Sequence, residues 1–142
     1  MDIDTNKITY LQMIQSVIDR MSNISADIKG FCVAVSAGIV ALTIDSTDIV
    51  SFGISILFIM IFLVLDIYYL GIERQYRYLY NKVRMDEIEV DFNLGMDLKK
   101  SEINQAKAKF FQCLSSKSII LFYIPLTLIM TILMILKYME VI

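Results

Sequence analysis

The most constraining feature of this chain is a long apolar run near its end. Residues 119–136 hold no charge, and their only polar side chains are Tyr123, Thr127 and Thr131. A helix needs about 20 predominantly apolar residues to cross the hydrocarbon core of a bilayer. Two further runs qualify. The segment 49–70 is uncharged up to Leu65 and then carries Asp66, followed by Ile67-Tyr68-Tyr69-Leu70. The segment 28–44 has Lys29 at its start and is otherwise uncharged. A lysine there can run its stem along the helix and hold its ammonium at the headgroups. Lipid offers no hydrogen bonds to a backbone, so spanning segments of this kind must be helices. The pattern therefore predicts an all-α integral membrane protein with three transmembrane helices, at 28–44, 49–70 and 119–137, and a small cytoplasmic helical bundle. The chain is read as a single membrane domain over 1–142.

Composition supports that class and removes others. The chain is 57% hydrophobic and 20% charged, with a mean hydropathy of +0.64. Soluble domains run about 45–50% apolar and about 25% charged. Disorder needs low hydrophobicity and high net charge, and a net charge of −2 gives no basic footprint for nucleic acid. The chain has no His, which removes Ser–His–Asp and Cys–His designs and zinc sites of the HExxH type. There is also no Gly-rich phosphate loop and no CxxC pair. The expectation is a non-enzyme without cofactor or metal.

The basic residues set an expected orientation. Nine Lys or Arg fall within 71–118, none within 45–48, and Lys137 alone within the tail. The positive-inside rule puts the N-terminus and 71–118 in the cytoplasm, and the 45–48 turn and the C-terminus outside. The first 27 residues hold Asp2, Asp4, Lys7, Asp19, Arg20 and Asp27 and do not read as a signal peptide. The expected location is a membrane, with the bulk of the polar chain on its cytoplasmic side.

The cytoplasmic parts carry helical patterns of their own. In 5–27, Leu11, Ile14, Ile18 and Met21 fall at helical spacing, continued by Ile28, with Asp4 or Thr5 as the expected N-cap. This stripe is either a packing face for other cytoplasmic helices or a face lying on lipid. From 49 to about 85 there is no Pro, which permits one helix of about 37 residues, about 55 Å long. Asp66, Tyr69, Glu73 and Arg77 share one face of it, and Glu73 and Arg77 have the favourable i,i+4 order. The acidic stretch 86–97, broken by Gly95, reads as a loop or a short strand-like corner. A helix is expected from Ser101 to about 115, with Ile103, Ala106, Phe110 and Leu114 as its apolar stripe. This stripe and the N-terminal one can bury each other. Pro125 predicts a kink in the third span.

Candidate chemistry is sparse. Asp66 is the one ionisable residue well inside a strong span, and an intramembrane carboxylate is a functional-site hypothesis by default. It either gates a pore together with Tyr69, Glu73 and Arg77, couples protons, or is a structural group bonded to Tyr or paired with Lys29 or Lys117. Gly30, Ala34 and Gly38 form a small-xxx-small face for helix packing, within the chain or between subunits. Cys32 and Cys113 make no disulfide framework. Both read as small buried residues, and Cys113 also offers a palmitoylation site.

The string Tyr10-Leu11-Gln12-Met13-Ile14-Gln15-Ser16-Val17-Ile18-Asp19-Arg20-Met21-Ser22, then Ile28-Lys29-Gly30, resembles the start of a family of small bacterial membrane proteins. Leu65-Asp66-Ile67-Tyr68-Tyr69-Leu70-Gly71-Ile72-Glu73-Arg74 and Arg77-Tyr78-Leu79-Tyr80 are similar to the end of that family's second span. The likeness covers about residues 8–95, with Phe31 standing where Trp is expected. The layout is similar to the SLATT-like membrane effectors found beside anti-phage systems. That resemblance implies a homo-oligomer that breaches the inner membrane when a defence-system partner protein senses infection. The competing expectations are a non-conducting membrane anchor or regulatory subunit for a partner protein, and a small transporter.

Overall fold

The computed structural model of the protein describes residues 2–43, 50–87, 92, 94 and 100–139. Among them every regular element is helical: α1 (Asp2–Thr43), α2 (Val50–Arg84), α3 (Lys100–Gln105), α4 (Phe110–Leu114) and α5 (Lys117–Tyr138). Three helices are long and apolar enough to cross a membrane. The 45–48 turn and most of the 86–97 corner lie outside the described residues.

Two elements differ from the sequence expectation at their ends. The N-terminal stripe and the first span form one helix of 42 residues, α1, and it starts at Asp2, ahead of the expected cap at Asp4 or Thr5. No proline interrupts it, and a lone glycine such as Gly30 costs a helix only about 1 kcal/mol. The helix expected over 101–115 is instead broken into α3 and α4. Lys107 takes a left-handed conformation, φ 52°. Its N–H donates to the Asn104 carbonyl (3.1 Å), and the Ala108 N–H donates to the Ile103 carbonyl (3.1 Å). Those two bonds are the Schellman closure of a helix end. The same closure ends α2, with Asp86 at φ 59° and bonds from Asp86 to Val83 and from Glu87 to Lys82.

Contacts divide the chain into two compact units. The first comprises Met1–Ser25 with Tyr68–Cys113, and the second comprises Ala26–Ile67 with Leu114–Ile142.

In the first unit, Tyr10, Ile14, Ile18 and Val83 form the buried core, with Leu11, Tyr76, Leu79, Tyr80 and Leu94 packed on it. The α1 stripe therefore buries against α2 and Leu94. On the 101–115 stripe, Ile103 and Ala106 are half-buried and Phe110 is 49% exposed. Polar bonds hold the edges. Lys7 pairs with Asp86 at 2.7 Å, and Lys82 pairs with Glu102 at 3.0 Å. The Tyr76 hydroxyl donates to the Leu94 carbonyl at 3.0 Å. Arg74 Nη1 donates to the carbonyls of Lys107 (2.7 Å) and Gln112 (3.0 Å), so one guanidinium bridges the α3–α4 corner. Gly71 faces that corner, where an added Cβ would stand 3.4 Å from the Ala108 carbonyl oxygen.

In the second unit, Cys32, Phe52, Ile59, Ile67, Ile119 and Met130 point inward, while Phe31, Leu57 and Leu121 are exposed. An apolar exterior of this kind suits hydrocarbon. Pro125 sits inside α5, which continues past it to Tyr138. Thr127 and Thr131 donate to the carbonyls of Tyr123 (2.7 Å) and Thr127 (2.8 Å), one turn back. That satisfies both hydroxyls within the helix itself.

Candidate functional site: a buried ion pair in the apolar unit

Asp66 lies on α2 within the second unit and is fully buried, at 0% exposure. Lys29 Nζ stands 2.6 Å from its Oδ2. Of the two lysine partners open from the sequence, the structure pairs Asp66 with Lys29, while Lys117 is exposed. The local reason is helix geometry. Ile28 and Cys32 are buried on α1 and Ile67 on α2, and the two charges come together between these apolar neighbours. The Lys29 side chain keeps 18% exposure, so the pair is open on one side only.

Tyr123 closes the site from α5. Its hydroxyl donates to the Phe62 carbonyl at 3.2 Å and lies close enough to the Asp66 carboxylate to feel its charge. Tyr123 is 4% exposed. Sequence reasoning allowed a Tyr partner but did not single out Tyr123. The signal available was a lone phenol in an otherwise apolar run, which needs a partner when buried. Ser36 and Ser55 are also buried in this unit.

The remaining candidates are elsewhere. Tyr69, Glu73 and Arg77 belong to the first unit. Glu73 is buried, and Arg77 pairs with it at 2.7 Å while staying 61% exposed. Arg77 also lines a cleft of about 290 Å³ with Gln15, Ile18, Tyr80 and Asn81. Asp66 and the Glu73–Arg77 pair thus have separate partners along one continuous α2. Gly30, Ala34 and Gly38 are exposed, and a Cβ added at Gly30 or Gly38 would meet nothing within 4 Å. The two glycines of that face therefore carry no close contact among the described residues. Cys113 is fully buried, with its thiol 3.8 Å from the Lys107 carbonyl. Among the described residues, no group of three or more His, Cys, Asp or Glu side chains could hold a metal ion.

What this arrangement can do follows from its charge. Each ion is costly in a low-dielectric surrounding, and the pair is tolerated because each neutralises the other. Separating them would leave two charges in an apolar unit, and charges at membrane depth draw water to themselves. No family model, curated protein or solved structure matches this chain.

Proposed function

We propose that the chain is an oligomeric inner-membrane effector that permeabilises the membrane in anti-phage defence and is switched through its cytoplasmic helices. The Lys29–Asp66 pair carries the reading. A passive anchor could fill the same space with apolar side chains at equal or better stability. A pair that can be parted offers two states, one dry and neutral, the other hydrated. α2 runs unbroken from Val50 to Arg84, so Asp66 shares a helix with Glu73 and Arg77. A signal received at the latter has one continuous helix along which to act. The exposed Gly30, Ala34 and Gly38 face is the surface offered to a second copy. Oligomers of this kind close by rotational symmetry.

The deciding experiment measures membrane potential in cells making the protein, alone and beside its native neighbours under phage challenge. The expected result is depolarisation. Asp66→Asn and Arg77→Ala alter it while the protein still inserts. Ala34→Leu with Gly38→Leu lowers both the depolarisation and the oligomer mass read by light scattering. An intact potential under every condition, with a partner that co-purifies, replaces this reading with the membrane anchor.

Orientation has its own test. With Ser46→Cys in a background lacking the native cysteines, an impermeant thiol reagent is expected to label from outside the cell. Labelling only from the cytoplasm reverses the topology.

A further inference from the structure

The α3–α4 corner of the first unit carries a surface that the ion pair does not use. Phe110 and Phe111 are 49% and 78% exposed, and their rings meet edge-on with centroids 5.7 Å apart. Lys107 and Lys109 beside them are exposed. The corner is braced, because Arg74 holds the carbonyls on either side of these residues, at Lys107 and Gln112. Glu102, the preceding acidic residue in the sequence, is engaged by Lys82 at 3.0 Å.

Chain reach adds the location. Phe111 precedes Lys117, the first residue of α5, by six positions. Six residues extend at most about 20 Å. A braced pair of aromatic rings flanked by lysines, this near the foot of a span, is complementary to a lipid surface. The rings suit the headgroup–acyl boundary and the ammonium groups suit anionic headgroups.

We infer that Lys107, Lys109, Phe110 and Phe111 form a docking surface for the anionic lipids of the leaflet that α5 enters. The inference rests on α5 being a membrane span and is independent of whether the protein conducts. At an anionic surface the two lysines together favour the docked state by about thirtyfold.

The chain contains no Trp, so Phe111→Trp supplies a single fluorescent reporter in the full-length protein. It is reconstituted in phosphatidylcholine vesicles with and without phosphatidylglycerol. With phosphatidylglycerol present, emission is expected to be quenched by bromines placed high on the acyl chains and protected from acrylamide. Adding Lys107→Gln and Lys109→Gln restores acrylamide access, as does omitting phosphatidylglycerol. A reporter open to acrylamide in both vesicles overturns the inference. So does lipid quenching indifferent to phosphatidylglycerol and to the lysines. Protection from acrylamide without quenching by bromolipid marks protein contact and also overturns it. Leu128→Trp separates this failure from that of the membrane reading. Leu128 is 56% exposed on α5, and its reporter is quenched by deep bromines if α5 spans, whatever the corner does.

Discussion

Replacing Lys29 by methionine is expected to destabilise the protein by about 3–5 kcal/mol, the cost of stranding one member of a buried ion pair. Asp66 is fully buried, so its carboxylate has no route to water once the ammonium is gone. Asp66→Leu should cost less. The Lys29 side chain retains 18% exposure, and its flexible stem can carry the charge outward. The double variant Lys29→Met with Asp66→Leu should return close to the parent, since well-packed apolar pairs often match or exceed the ions they replace. Reversible unfolding in mixed micelles measures all four species. Additive losses, with the double variant the least stable, would show that the pair has no coupling energy. The double variant also separates stability from switching. In the proposed mechanism it folds and inserts but no longer depolarises.

The second large effect is expected far from those charges. Ile14 is fully buried among Tyr10, Ile18 and Val83, so Ile14→Ala should cost about 2–5 kcal/mol through lost burial and the cavity left behind. Ile8, six residues earlier on α1 and on another face, is 53% exposed, and Ile8→Ala should stay within about 0.5 kcal/mol. Hydrogen exchange over 2–25 and 68–87 reads the difference locally. Equal protection in the two variants would mean that α1 does not depend on this core.

These two sites were legible in the sequence to different degrees. The Ile14–Ile18 stripe follows from helical spacing alone, and so does the uninterrupted α2, where no Pro breaks the pattern. Lys29 and Asp66 stood out because each is the lone charge of its apolar run, but spacing could not choose between Lys29 and Lys117. That choice is made by how α1 and α2 pack. The break at Lys107 left no local sign. Gly or Asn is the residue that usually announces a left-handed helix end. Here the conformation is held by Arg74, which lies 33 and 38 positions from the carbonyls it binds. Small-residue spacing at Gly30, Ala34 and Gly38 indicates that a helix can approach closely, not which helix does, and the structure leaves that face open.

The first unit is discontinuous, with Ala26–Ile67 of the other unit intervening between its parts. This has a consequence for biosynthesis. Tyr10, Ile14 and Ile18 leave the ribosome well before Val83, which completes their core. At about 5–20 residues per second, the intervening 64–72 residues take on the order of several seconds. During that interval the first two apolar runs are synthesised while the N-terminal stripe lacks the partner that buries it. The nascent chain must therefore keep an aromatic and aliphatic face from aggregating, or lend it to a chaperone, until α2 has been made through to its end. Completion of α2 and closure of the first unit's core become consecutive steps of one assembly line, with translation speed as the timer.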